Sequence, residues 1–267
     1  MKEPSLPDSR FEDTDNLSYI GLYASDLGIR AIDSPVKIRI LDMLARQDMA
    51  FEDLVEGSKR AKSTVSIHLK DLAESGIVGA KSDPTDGRKK IFFLNALYLA
   101  GADSSWRGVF DLDMYIPGSF SCNGDPGAMF RFLLSTIRLT LLNQGIMIDP
   151  VLKLAGLRAG KALYPCIDAP EIETVVQNIA RIWKENCLGD VELERTDPLT
   201  LCITDCFECI DLPISGKPAC AFESGILTSF FSSFYSNRMT AIETHCYAMG
   251  SNLCRFVVLE QASPEIS

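Results

Sequence analysis

The segment from Ser34 to Leu94 sets the tightest limit on what this chain can fold into, because its start, stop and turn signals impose one order of elements. Ser34-Pro35 opens a helix: serine offers an N-cap hydroxyl, and proline at the first helical position gives up an N–H that has no partner there anyway. Val36, Ile40, Leu41 and Leu44 then share one helical face. A second short helix around Phe51 to Glu56 is cut by Gly57, and a polar turn leads to a third, Ser63-Thr64-Val65-Ser66-Ile67-His68-Leu69-Lys70-Asp71-Leu72. Its inward stripe is Val65, Leu69 and Leu72. After Gly76 the chain alternates from Ile77 to Ser82, turns at Asp83-Pro84-Thr85-Asp86-Gly87 and returns as Arg88 to Leu94. Asp-Gly between two strand-like runs is a hairpin signal. Three short helices followed by a hairpin predict a winged helix-turn-helix.

The outer face of the third helix carries Lys62, Ser63, Thr64, Ser66, Ile67, His68 and Lys70, mostly short polar or cationic groups that approach base edges and phosphates without filling a groove. The returning strand of the wing adds Arg88, Lys89 and Lys90, within reach of sugar-phosphate or a minor groove. His68 can contact phosphate or stay solvated as readily as read a base. Eight cations lie between Lys59 and Lys90 against four anions, whereas the whole chain carries −10. That balance excludes a protein that coats nucleic acid nonspecifically, since phosphate neutralisation supplies most of such affinity. A winged helix can also serve as a protein-interaction scaffold; the polar face, basic wing and local charge together favour double-stranded operator DNA as the partner.

With 267 residues, 46% of them hydrophobic, the chain can bury a second core. Residues 1–16 are polar and acidic and are expected to be a disordered tail, neither signal peptide nor anchor. The winged-helix domain is expected over 17–100, and a linker that packs rather than floats over 101–127, with Trp106, Phe110, Tyr115 and Phe120. A sensor domain follows over 128–262. There the pattern predicts helices at Met129–Leu142, Val151–Leu163 and Glu171–Cys187, strands at Val191–Arg195 and Leu199–Ile210, a helix at Ala219–Tyr235 and a closing hairpin of Met239–Tyr247 with Leu253–Glu260. Helices followed by antiparallel strands make the fold class α+β. No segment approaches the apolar length of a membrane span, so no membrane partner is expected and a cytoplasmic location is.

Nine cysteines, none before Cys122, point to metal binding or redox chemistry, because a reducing compartment disfavours a permanent disulfide framework. The best ligand set is Cys220, Glu243, Cys246 and Cys254. Cys246 and Cys254 lie four positions either side of Gly250, so a hairpin turning there sets them opposite each other, within about 5 Å. Glu243 is one step back along the same strand, and Cys220 reaches in from the start of the preceding helix. Three thiolates and a carboxylate suit tetrahedral zinc with no open position, the structural pattern. Two alternatives stand beside it: Cys246 and Cys254 as buried small hydrophobes or a reversible disulfide pair, and His245 in place of Glu243.

Cys220-Ala-Phe-Glu-Ser-Gly-Ile, followed by Glu243-Thr-His-Cys246-Tyr-Ala-Met-Gly-Ser-Asn-Leu-Cys254-Arg-Phe-Val-Val, resembles the 4-vinyl reductase domain, over roughly Met129 to Glu260. That family is similar in fold to vesicle-tethering trafficking proteins and to the sensor domains of phenol-responsive activators. In those sensors a Cys, a Glu and two further Cys bind zinc at this spacing, which implies Cys220, Glu243, Cys246 and Cys254 here. The run Ser63-Thr-Val-Ser-Ile-His-Leu-Lys-Asp-Leu-Ala-Glu-Ser-Gly-Ile-Val resembles the ArsR-type winged helix over about sixty residues. Phe51-Glu-Asp-Leu-Val-Glu lacks the cysteine pair that many metal sensors of that family carry, so metal sensing is not expected from the DNA-binding domain. An ArsR-like head with a 4-vinyl reductase-type tail resembles the redox-responsive regulators specific to archaeal methanogens.

That resemblance implies redox thiols, and the candidates are Cys187, Cys202, Cys206 and Cys209. Residues three apart in a strand are separated by about 10 Å, beyond the ~7 Å limit for a disulfide, so Cys206 and Cys209 pair only if the chain turns there. Asp205 and Glu208 beside them are expected to raise both thiol pKa values. The expected function is redox control of operator binding by a homodimer, a repressor because ArsR-like proteins usually occlude promoters. Its dimer contacts are expected from a helix around Leu17–Ile32 and the apolar helix from Met129. The alternative is a regulator that senses an aromatic or lipid-like small molecule beneath Phe222, Phe230, Phe231, Phe234 and Trp183. An enzyme, including a vinyl reductase, is not expected: the chain has only His68 and His245 and no glycine-rich dinucleotide loop after a strand.

Overall fold

The computed structural model describes residues 19–84, 86–120 and 125–261; the expected tail over 1–16, Thr85 and Cys122 lie outside the described residues. The chain divides into two compact units between Ser105 and Trp106.

The first unit runs β1 (Tyr19–Ser25), β2 (Gly28–Ile32), α1 (Pro35–Leu44), β3 (Met49–Ala50), α2 (Phe51–Ser58), α3 (Lys62–Glu74), β4 (Val78–Ser82), β5 (Lys90–Leu94) and β6 (Leu97–Asp103). The helix expected around Leu17–Ile32 is instead a hairpin, with Gly21 opposite Ile32 and Ser25 opposite Gly28. Two causes combine. Gly28 sits at φ +110, a conformation that glycine alone adopts easily and that no helix continues through. The other edge of β1 pairs with β6, Tyr19 opposite Asp103, a bond partner some eighty positions away that local periodicity does not register.

Pro35 opens α1 as expected, but Ser34 contributes only its extended backbone, and its hydroxyl makes no cap hydrogen bond. Gly57 does not stop α2. The helix runs on to Ser58 and ends at Lys59, whose left-handed φ of 54 supplies the break. Ile40, Leu41, Leu54, Val65, Leu72 and Ile77 are fully enclosed between the three helices and the wing. The wing is a three-stranded sheet in the order β3-β5-β4, with Val78 opposite Leu94 and Ser82 opposite Lys90.

The second unit holds α4 (Pro126–Asn143), β7 (Ile146–Met147), α5 (Asp149–Leu163), α6 (Ile172–Glu185), β8 (Asp190–Thr196), β9 (Leu199–Thr204), α7 (Ala221–Phe234), β10 (Met239–His245) and β11 (Cys254–Glu260). The last four strands form an antiparallel sheet in the order β10-β11-β9-β8. Residues expected as linker dock on the end of α4: Gly108 N–H donates to Asn143 O (3.0 Å) and Phe110 N–H to Asn143 Oδ1 (3.2 Å). α5 and α7 cross where Gly156, Gly160 and Gly225 meet, and a methyl group at Gly156 would land on the Phe222 carbonyl oxygen. That crossing fixes the start of α7, where Cys220 stands at the N-cap.

The aromatic run of α7 is core. Phe230 and Phe231 are fully buried, and Phe230 meets buried Trp183 edge-on at 5.9 Å between ring centroids. A cleft beside Trp106, Arg138, Leu142 and Leu212 encloses only ≈ 80 Å³, against roughly 300 Å³ for the smaller ligand sites. No helix among the described residues is long and apolar enough to cross a membrane.

Candidate metal centre and nucleic-acid interface

The strand expected from Leu199 to Ile210 stops at Thr204, because Asp205 turns into the left-handed region at φ 52. Cys206 to Cys209 then form a tight turn, closed by Cys209 N–H to Cys206 O (3.3 Å) and Ile210 N–H to Cys206 O (3.1 Å). Both thiols point inward. This places two of the redox candidates, Cys206 and Cys209, beside three of the expected metal ligands.

Five buried cysteines result: Cys206 and Cys209 on the turn, Cys220 at the head of α7, Cys246 just past β10, and Cys254 at the start of β11. The hairpin that carries Cys246 and Cys254 turns at Gly250, in the left-handed conformation at φ 86. Sulfur-to-sulfur separations are 3.6 Å for Cys206–Cys220, 3.2 Å for Cys209–Cys254, 3.9 Å for Cys220–Cys246 and 3.6 Å for Cys220–Cys254. Around a tetrahedral zinc with ~2.3 Å bonds to sulfur, neighbouring sulfurs sit about 3.8 Å apart. Two quartets have all ligand atoms within 4.8 Å of one another: Cys206, Cys209, Cys220, Cys254, and Cys220, Glu243, Cys246, Cys254.

Glu243 supplies the sharpest sign of a missing partner. Its Oε2 accepts the Cys220 N–H (2.9 Å), while Oε1 is buried without a hydrogen bond. Burial pushes this carboxyl well above the usual carboxylate range, and the Cys246 charge adds to the effect. His245, the alternative ligand, is exposed and contacts Thr244 and Arg255 instead, because the pairing register shifts between Glu243 and His245 and breaks the alternation that would put both on one face. Among the thiols, Cys206 and Cys246 are held well below the ordinary range by hydrogen bonds from neighbouring thiols, Cys209 first, while burial pushes Cys220 up. The cluster can hold a metal ion: its donors are soft, close-set and short of positive charge.

The carboxylates expected to raise the Cys206 and Cys209 thiols turn elsewhere. Asp205 pairs with Arg131 (3.1 Å), and Glu208 with buried Arg138 (3.2 Å). It is Glu223 that meets Cys206, 3.2 Å from Sγ, with its other oxygen accepting from Trp183 Nε1 (2.6 Å). Burial above all pushes the Glu223 carboxyl well above the usual carboxylate range, and the Cys206 charge adds to the effect. Cys202 is half-buried on β9 and bonds Glu194 (3.1 Å); burial, then that carboxylate, raises its pKa. Cys187 is exposed at the end of α6, at φ 57. The sequence signal for the turn is the Cys206-x-x-Cys209 spacing, a metal-knuckle pattern hidden by the strand-like alternation around it.

On α3, Lys62, Ser63, Ser66, Ile67 and Lys70 are exposed, and Thr64 and His68 half-buried, over the inward Val65, Leu69 and Leu72. No hydroxyl caps the helix start, since Ala61 occupies the N-cap. Lys70 lies 3.8 Å from Glu74, and Lys37 of α1 bonds Asp71. Burial, then Lys37, lowers the His68 pKa, which favours the neutral ring. On the wing Arg88, Lys89 and Lys90 are exposed, Arg88 pairing with Asp86 (3.1 Å).

The sequence profile of the bacterial regulatory protein, arsR family, matches residues 34–79, and that of the 4-vinyl reductase domain matches residues 199–260. Protein MJ1642 of Methanocaldococcus jannaschii is 35% identical over 82 residues, 31% of this chain and 51% of that protein, so the chain spans about half of it. Protein MJ0150 of the same organism is 23% identical over 129 residues, 47% of this chain and 73% of that protein. Among solved structures, a vinyl-4-reductase family protein from Methanocaldococcus jannaschii aligns over 54% of this chain and 85% of its own, at 20% identity and a TM-score of 0.36. The phenol-responsive sensory domain of the transcription activator PoxR aligns over 74% and 90%, at 12% identity and a TM-score of 0.35. The chain thus joins an ArsR-type helix-turn-helix, which points to a DNA-binding regulator, to a C-terminal 4-vinyl reductase domain.

Proposed function

We propose that the chain is a transcriptional repressor, acting as a homodimer, in which the oxidation state and zinc content of the C-terminal cysteine cluster control operator binding by α3 and its wing. The observation that carries this reading is the buried six-donor cluster in the same chain as an ArsR-type helix-turn-helix. Residues 17–100 bind DNA, through Lys62, Ser63, Thr64, Ser66, Ile67, His68, Lys70, Arg88, Lys89 and Lys90, and residues 128–262 sense. Zinc on Cys220, Glu243, Cys246 and Cys254 ties the head of α7 to the β10–β11 hairpin and stabilises the domain. Oxidation of two thiolates forms one S–S bond, passes two electrons to a peroxide or disulfide oxidant, and strips the metal of ligands. Cys206 and Cys209 are the nearest resolving partners, 3.6 Å from Cys220 and 3.2 Å from Cys254. The raised pKa of Cys202 makes it a poorer sensor.

Phe130, Leu133 and Ile137 form one exposed apolar stripe on α4, which supports pairing with a second copy. The small-molecule reading has less support, since the aromatic run is close-packed core and the cleft beside Trp106 and Arg138 is small and lined by none of those aromatics. The test is an operator gel shift on reduced, oxidised and dithiol-restored protein, with zinc measured on the same samples. Oxidation is expected to change the shift and release zinc, and dithiol with zinc to restore both. Identical shifts and zinc contents in all three samples would refute the reading.

A further inference from the structure

The two ligand quartets are not rivals in space. They share Cys220 and Cys254, and each adds a pair of its own: Cys206 with Cys209, and Glu243 with Cys246. We propose that the cluster is a two-metal site, in which Cys220 and Cys254 bridge two zinc-like thiophilic dications, one completed by Cys206 and Cys209 and the other by Glu243 and Cys246. This rests on the reading of the cluster as a metal centre and goes beyond its single zinc.

The shared edge has the right length. Cys220 and Cys254 sulfurs lie 3.6 Å apart, close to the ~3.8 Å edge of a zinc–sulfur tetrahedron. Two tetrahedra can be joined along such an edge, each thiolate spending one lone pair on each ion. A single tetrahedral ion takes four of the six donors and abandons two. On the first quartet it leaves Glu243 Oε1 buried without a partner, as it stands now. On the second it leaves the enclosed Cys206 and Cys209 thiols without a metal, Cys206 keeping its contact with Glu223 (3.2 Å). Two ions use all six donors.

Charge permits the same count. One dication on four ionised donors, with the other two protonated, and two dications on all six ionised donors both leave a net −2, so the second ion adds no uncompensated charge to the buried site. Arg138, itself buried, adds a cation nearby, donating to Glu208 O (2.9 Å) inside the Cys206–Cys209 turn and to Ala219 O (2.5 Å) beside Cys220. The shell thus holds the Cys206–Cys209 turn and the head of α7 in one frame.

The test is native mass spectrometry of the reduced full-length chain loaded with zinc, paired with a cobalt(II) titration. Two zinc ions per chain are expected, with cobalt thiolate charge-transfer absorption rising to two equivalents. The electron paramagnetic resonance signal per cobalt should fall on the second equivalent, because bridging sulfurs couple the ions. The double variant Cys206→Ser/Cys209→Ser should bind one ion, and so should Glu243→Gln/Cys246→Ser. If these variants do not fold, the wild-type count stands alone as the test. One ion in the wild-type chain, undiminished by the Cys206/Cys209 substitutions, would overturn the two-metal site and leave the single-zinc reading intact. No bound ion at all would overturn both.

Discussion

Arg138 is the cation whose removal says most about how the cluster is held. Only 9% of it is exposed, and its guanidinium donates to Glu208 O, Glu208 Oε1 and Ala219 O, with Asp149 at 3.6 Å on the outer side. Arg138→Met keeps the apolar stem and deletes the charge. Glu208 loses its ion pair. Its carboxyl, already pushed up to about 8 by burial despite the arginine, keeps only the N–H groups of Phe222 (3.0 Å) and Glu223 (2.8 Å). The carbonyls of Glu208 and Ala219 lose a donor as well. Above about pH 8, where the Glu208 carboxyl is ionised, breaking this buried pair from one side costs about 3–5 kcal/mol, a large part of the roughly 5–15 kcal/mol that holds a domain folded. Trp106 and Trp183 both lie in the second unit, so their fluorescence during urea unfolding of the reduced chain reports the relevant transition. The double variant Arg138→Met/Glu208→Gln should be less damaged than the sum of its single variants, by roughly 0.5–3 kcal/mol of coupling. A cost for Arg138→Met under about 1 kcal/mol, or strict additivity in the double variant, would show that the pair does not brace the cluster.

Further expectations attach to the DNA-binding head and to the helix crossing. Lys89→Ala/Lys90→Ala removes four phosphate contacts from a dimer if each lysine makes one, so the slope of log K against log salt should fall by about 3.6; an unchanged slope in anisotropy titrations would place the wing off the duplex. Gly156→Ala drives a methyl into the Phe222 carbonyl and should cost about 3 kcal/mol, read by thermal unfolding; wild-type stability would mean that α5 and α7 are not in backbone contact. His68 has a folded pKa below its ordinary value of 6.5, caused first by burial and then by Lys37. Its contribution is therefore complete above pH 6.5 and is lost as pH falls through the histidine range. His68→Asn should flatten that part of the stability profile, and a variant with the wild-type pH slope would count against it.

The winged helix is legible in the sequence because its punctuation is chemical and local: Pro35 at a helix start, Val65, Leu69 and Leu72 at helical spacing, Asp86-Gly87 between two strands. The elements of the second unit are legible from their change of period, down to the hairpin at Gly250. What escapes is long-range or conformational. Tyr19 to Ser25 is a strand because β2 and β6 take both of its edges, and no single stretch contains that information. Cys206 and Cys209 read as strand residues suited to redox chemistry, since Leu199 to Ile210 alternates convincingly; the left-handed turn at a non-glycine, Asp205, is a tertiary outcome. Cys220, Glu243, Cys246 and Cys254 are recognisable by spacing and come together as a quartet. The addition of the two turn cysteines to that quartet needs the fold.

The most direct measurement is the dissociation constant of the full chain for its own promoter DNA, followed by fluorescence anisotropy in one cuvette as the reduced, zinc-loaded protein is oxidised and then restored with dithiol and zinc. A shift of at least about tenfold, equivalent to ~1.4 kcal/mol, that reverses with the dithiol and disappears in Cys220→Ser is the expected result. A constant that stays the same through oxidation and restoration, in a chain that binds the promoter, would contradict control by the cysteine cluster.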